Sequence, residues 1–205
     1  MSDEDVCCNA AREEVIRRYY KALCNLATNG DNESEVNKIS LIMKQAKLTT
    51  DYRRTTVAAH DRKERSGVAT AAIELQDGTI ITSRTSSLLG PCAALILNAT
   101  KHLAGIADEV KLIPEAMISP IQRTKVDFLH GKNPRLHTDE VLIALAISAV
   151  DNPDAARAMQ ALPGLRYSEV HSTVILSQID LDTFRKLGVY LTTEPKYQTK
   201  KLFHR

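Results

Sequence analysis

Histidines set beside carboxylates and hydroxyls can move protons near neutral pH, and the last third of this chain holds two such groups. Arg135, His137, Asp139 and Glu140 open directly onto the apolar run 141–147, and Glu169, His171, Ser172 and Thr173 open onto Val174, Ile175 and Leu176. An imidazole titrates close to neutrality, and a nearby carboxylate orients it or raises its pKa. A general acid/base pair is the chemistry such neighbours support, with His137, Glu140 and His171 as the candidate catalytic residues. Each group also has a plainer reading. Thr138 suits a helix cap, and Asp139 and Glu140 suit its first turn, where negative charge meets the helix dipole. On a strand, Glu169, His171 and Thr173 share one face and Val170, Ser172 and Val174 the other, which describes a half-exposed strand. The balance turns on whether His137 and His171 converge.

A second chemistry is anion binding. Ser83-Arg84-Thr85-Ser86-Ser87 precedes a helical pattern, and hydroxyls, an arginine and helix-start N–H groups suit a phosphate. The Gly-x4-Gly-Lys spacing of a nucleotide-binding loop is missing. Arg84, Ser86, Ser87, Arg135 and Lys200 are the candidate ligand-binding residues. The basic tail from Lys196 to Arg205 fits the same chemistry or a solvated edge. No metal site is read. The four cysteines, Cys7, Cys8, Cys24 and Cys92, have neither zinc nor redox spacing. His60, His102, His130 and His204 stand isolated and receive no assignment, and no cofactor is identifiable.

The elements that must position these residues follow from periodicity. Val6 to Asn29 and Glu33 to Leu48 carry helical spacing, and Asp51 to Ser66 reads as a polar surface helix or connector. At Gly67 the period changes. Val68 to Leu75 and Thr79 to Thr82 flank Asp77-Gly78, a hairpin signal. Ser86 to Ala104 reads as one helix and Val110 to Ile113 as a strand. Ser119-Pro120 reads as the start of a helix ended by Gly131. Val141 to Val150 is apolar nearly all round, which predicts a central, buried helix. Asn152-Pro153 starts a short helix, Ser168 to Leu176 is a strand, Asp180 to Gly188 a helix and Val189 to Thr193 a last strand. The fold expected is α/β: a helical segment, 1–66, then a layered domain, 67–205, with helices on both faces of a mixed sheet.

Bulk properties narrow the class. The chain has 205 residues, 43% hydrophobic and 25% charged, ordinary for a globular protein able to bury its own core. With 27 basic against 25 acidic residues the net charge is +2, which gives no electrostatic case for nucleic acid. No signal peptide or membrane-spanning run is visible, so a cytoplasmic protein with reduced thiols and no membrane partner is expected.

Three runs in order resemble the C-terminal end of a bacterial family catalogued as domain of unknown function 1846. They are Asn133 to Leu145, His171 to Gln178, and Gln198 to His204, and Ile16 to Tyr20 extends the likeness over nearly the whole chain. Family members are about twice this long or longer. Their N-terminal part resembles an α/β region with a Gly-Ser-Gly-Lys loop, which this chain lacks. The resemblance therefore implies a fragment carrying the C-terminal part alone, and no established activity. It also implies a layout similar to the cytidine-deaminase-like fold. The deaminase zinc ligands, H-x-E and P-C-x-x-C, do not match: Ser86-Ser87-Leu88 and Pro91-Cys92-Ala93-Ala94 stand there.

The function expected is binding of a phosphate-bearing or other anionic small molecule, with any chemistry needing the family's N-terminal part. An interaction or self-association module is the alternative from another class, suggested by the apolar helices of residues 6–48. A metal-dependent hydrolase using His137 and His171 is a third reading.

Overall fold

The computed structural model describes residues 3–30 and 33–198. Four strands form a mixed sheet in the order β2-β1-β3-β4, with eight α-helices around it. β1 (Thr70–Glu74) and β2 (Ile80–Arg84) form the expected antiparallel hairpin. Its turn needs Gly78 at φ 82°, a conformation that costs glycine little. β3 (Glu169–Ser172) pairs antiparallel with β1 and parallel with β4 (Tyr190–Thr193). Parallel neighbours require a crossover, supplied by α8 (Gln178–Lys186).

Both sheet faces are covered, and strand alternation decides what each one holds. Ala71, Ile73 and Val170 meet Cys92, Leu95, Ile96 and Ala99 of α4 (Pro91–Leu103) and Phe184 of α8 in the main core. On the opposite face lie α1 (Asp3–Asn29) and α3 (Arg54–Ser66). A second core joins α4 to α5 (Glu115–Arg123), α6 (Thr138–Ser148) and α7 (Pro153–Gln160). α2 (Glu33–Gln45) packs on α1 through a third cluster that contains Ile16, Tyr20 and Met43.

Several expectations are corrected. The segment 51–66 is no surface connector: Thr55, Thr56 and Ala59 are buried against the sheet, and the Ala59 carbonyl accepts a 2.6 Å bond from Thr70 Oγ1. Arg53, 1% exposed, ties this segment to Glu13 of α1 at 2.5 Å and to Glu169 of β3 at 3.0 Å. Val110 to Ile113 is not a strand, because its Leu112 carbonyl is taken by Ser148 Oγ at 2.6 Å instead of a ladder. Pro120 sits inside α5, which begins after Pro114 and runs on into a wider π-type turn, Thr124–Phe128.

The helix expected to be buried all round buries one side only. Val141, Ala144, Leu145 and Ser148 face inward, while Ile143 and Ile147 are 60% and 57% exposed. α6 is the outer layer of the second core, so its apolar composition exceeds what its position can bury. Ser86 starts no helix either: α4 begins at Pro91, with Gly90 as its cap residue.

Candidate functional site

Three helix starts converge at the C-terminal end of β3. Gly90 and Pro91 of α4, His137 at the head of α6 and Ser177 at the head of α8 line one cavity of about 230 Å³. The parallel β3–α8–β4 unit ends its strand here, where open α/β sheets commonly place ligands.

Asp180 organises the cavity. It is 6% exposed and sits in the first turn of α8, where its N–H donates to Ser177 Oγ at 3.2 Å. Its Oδ1 accepts from the Thr138 backbone N–H and from Thr138 Oγ1, both at 2.9 Å. Its Oδ2 accepts from Ser177 Oγ at 2.7 Å and lies 3.1 Å from His137 Nδ1. One carboxylate thus caps α6, braces the Ser177 cap of α8 and orients a histidine. The hydrogen bond to Asp180 holds His137 above the ordinary imidazole value, against the effect of burial. Burial alone would raise Asp180, but hydrogen bonds from His137 and Thr138 outweigh it and leave the carboxyl below its usual range.

The wiring limits the chemistry. Ser177 Oγ lies 3.4 Å from His137 Nδ1, on the same ring nitrogen that faces Asp180. A serine nucleophile needs the nitrogen opposite the carboxylate, so Ser177, His137 and Asp180 are not a nucleophilic triad. Nε2 remains as the ring nitrogen that Asp180 does not hold, suited to general acid/base work or to a ligand contact. Cys92 also lines the cavity, but burial first, and then the Asp180 charge, push its thiol well above the usual value. It is a poor nucleophile.

Glu140 plays a different part from the catalytic one expected. Its Oε2 accepts from the His137 N–H at 2.7 Å and from Lys125 Nζ at 2.7 Å, which makes it a helix-cap acceptor tied to a lysine. Lys125 also donates to the Arg135 carbonyl at 2.7 Å.

Next to this cavity a more open groove of about 750 Å³ shares Val174 and Gln198 with it. Lys63, Arg135 and Lys196 line it together with Thr85, Ser86 and Ser87, and no acid is among its lining residues. Arg135 Nε donates to the Ser86 carbonyl at 2.7 Å, which joins two segments that sequence reasoning paired only by chemistry. Ser86 Oγ accepts from the N–H groups of Leu88 and Leu89 and so shapes the turn before α4. Arg84 is exposed at the end of β2 and lines neither space. Lys200 lies outside the described residues.

His171 does not join His137. It is fully buried on the other sheet face, where its ring lies 4.9 Å from that of Tyr20 at a tilt of 52°, while Val170 and Ser172 turn toward α4. The metal-hydrolase reading on this histidine pair is thereby corrected. His171 instead meets His60 of α3 and Glu194, which follows β4, and the ligand atoms of all three lie within 4.8 Å of one another. Sequence reasoning missed His60 and Glu194. The one signal for His60 was its helical spacing from Arg53 and Thr56, both buried.

Residues 51–203 match the family model described as Domain of unknown function DUF1846, C-terminal, and residues 1–47 match Domain of unknown function DUF1846, N-terminal. A UPF0371 protein of Corynebacterium urealyticum is 46% identical over 205 residues, 100% of this chain and 41% of that protein. One of Streptococcus sanguinis is 45% identical over 203 residues, 99% of this chain and 41% of its own length. One of Streptococcus pneumoniae, strain Hungary19A-6, is 43% identical over 205 residues, 100% of this chain and 42% of its own length. The chain belongs to the DUF1846 family. It spans about two fifths of the length of these curated relatives. The expectation of a fragment carrying the C-terminal part alone is corrected, since residues 1–47 match the N-terminal model. No helix among the described residues is long and apolar enough to cross a membrane.

Proposed function

We propose that this chain binds a phosphate-bearing or other anionic small molecule across the groove and the cavity beside it. The observation that carries the reading is the lining of the groove: Lys63, Arg135 and Lys196 with three hydroxyl residues and no acid. Neither Lys63 nor Arg135 pairs with an acid among the described residues, so both charges are available to an anion. Lys196 is partly compensated by Glu194, 2.9 Å away. The anionic group sits at Arg135, Ser86 and Ser87, and the remainder of the molecule reaches toward His137. There Asp180 fixes the ring, and Nε2 gives or takes a proton or a hydrogen bond. Chemistry beyond binding would draw on parts of the longer relatives that this chain does not span.

Calorimetric titration with inorganic phosphate, pyrophosphate and sugar phosphates tests this. Binding by the natural chain is expected to weaken about tenfold or more in Lys63→Glu/Arg135→Glu, a scale set by loss of charge-assisted hydrogen bonds. Equal affinity in the charge-reversed chain would overturn the reading.

A second reading, an assembly module, draws on one observation. Ile143, Ile147 and Val150 are 60%, 57% and 79% exposed at helical spacing along and just beyond α6. Apolar patches of this kind mark contact surfaces.

A further inference from the structure

We propose that His60, His171 and Glu194 form a binding site for a divalent transition metal of the zinc type, on the sheet face opposite the cavity. The proposal does not rest on the anion-binding reading and its three ligands are not groove residues, although Glu194 pairs with Lys196 of the groove at 2.9 Å.

The residues come from three places, α3, β3 and the segment after β4, and the fold brings their ligand atoms within 4.8 Å of one another. His60 Nε2 contacts Glu194 Oε1 directly, and His171 Nε2 lies 3.8 Å from the same oxygen. Two imidazoles and one carboxylate are a donor set that zinc takes, whereas calcium and magnesium prefer oxygen alone. Three protein ligands leave a fourth position for water or a ligand atom.

The strongest observation is the state of His171. Thr192 Oγ1 lies 3.2 Å from the Val170 carbonyl and 2.9 Å from His171 Nδ1, so Nδ1 is engaged with this hydroxyl as donor or acceptor. The other ring nitrogen is Nε2. That nitrogen is buried without a hydrogen-bond partner, on a residue 0% exposed, and it is aimed at Glu194. An unpartnered ring nitrogen at such depth calls for an explanation, and a metal ion supplies one. With Nε2 on the ion, Nδ1–H would donate to Thr192 Oγ1, the usual support of a metal-bound histidine.

Seating the ion requires small movements. A tetrahedral zinc with bonds of about 2.0–2.1 Å spaces its ligand atoms by roughly 3.4 Å. Glu194 has to turn its oxygen off His60, and His60, whose side chain is 42% exposed, has room to follow. Lys196 Nζ, 2.9 Å from Glu194 Oε2, is on a side chain 63% exposed and can swing into solvent.

The test uses the full chain, stripped with a chelator, in a Cys7→Ser/Cys8→Ser background that removes the two exposed thiols. Zn²⁺ is titrated calorimetrically, and Co²⁺ is followed by its visible absorption, which reports tetrahedral coordination. A single equivalent is expected to bind. His60→Ala and Glu194→Gln should each weaken it by at least about tenfold, already the scale of losing a mere supporting partner. His102→Ala, on the surface of α4, should leave it unchanged. His60 is half-exposed, so its variant keeps the fold and the test stays decisive if Glu194→Gln does not. Failure of the natural chain to bind either ion would overturn the proposal, as would equal affinity in His60→Ala.

Discussion

Asp180 shows how one side chain can join elements far apart in sequence. It accepts from Thr138 of α6 and from Ser177 at the head of α8, and it holds His137, 43 residues away. The pH dependence follows from the two shifts. The raised His137 contributes stability in full below the ordinary imidazole value, and that contribution is lost as pH rises through its folded value. The depressed Asp180 contributes above the ordinary carboxylate value and loses that as pH falls through its own. Their joint contribution is greatest between about pH 4 and about pH 6.5. Denaturant midpoints across pH should show Asp180→Asn losing most in that window, while parallel curves would contradict the pairing. Lys125 and Glu140 also face the ring, and both are present in either chain. Asp180→Ala, which also strips the α6 cap and the brace on Ser177, should cost about 2–4 kcal/mol in the same measurement. His137 and Arg135 were legible as candidates because their types and local spacing suggest chemistry. Asp180 was not, since a first-turn acid looks the same whether it faces water or caps a second helix.

Among the elements, boundaries moved where side chains took over backbone bonds. The hairpin was readable because Asp77-Gly78 admits few other conformations, and α7 because the Asn152 side chain accepts from the N–H groups of Asp154 and Ala155. Residues 110–113 looked like a strand by composition, yet their core packing and the bonds from Ser148 and Asn152 serve instead of a ladder. The most consequential misreading was α3, taken as polar because it carries Arg62, Lys63 and Arg65. Its inward side is small and hydroxyl-bearing, with Thr55, Thr56 and Ala59, so the helix approaches the sheet closely. Arg53 locks that approach through Glu13 and Glu169 and through a 3.3 Å bond to the Val170 carbonyl. Truncating it takes the bonded cation from Glu13, while Glu169 keeps Arg17 at 2.8 Å. Arg53→Ala should lower unfolding free energy by about 3–5 kcal/mol. Arg53→Met, which keeps the bulk, should also destabilise; a change under about 1 kcal/mol in either would contradict the role given to the ion pair.

At the scale of the whole molecule, the sheet separates two clusters of chemistry-bearing residues. The cavity lies at the starts of α4, α6 and α8 and the His60–His171–Glu194 cluster under α1 and α3, while the basic groove draws on both, with Lys63 of α3 and Lys196 beside Arg135. This division was invisible in sequence, because the two histidines that looked alike fall on opposite faces of β3. The mixed α/β class was legible, because alternating helix and strand periods with one tight hairpin leave few layered arrangements. The exposed stripe of α6 was not, since an apolar helix reads the same whether its outer side meets a partner or water. Sedimentation of the natural chain should show association that Ile143→Lys/Ile147→Glu removes, and a monodisperse natural chain at high concentration would exclude the assembly reading. The central claim is the anionic ligand. Thermal unfolding of the natural chain and of Lys63→Glu/Arg135→Glu, scanned side by side against phosphate, sugar phosphates and nucleotides, tests it most directly. A ligand that binds only the folded state adds about 2.7 kcal/mol at a hundredfold excess over its Kd. The account predicts a raised midpoint with at least one phosphate-bearing class, lost on charge reversal. No shift with any of them, or the same shift in both chains, would contradict it.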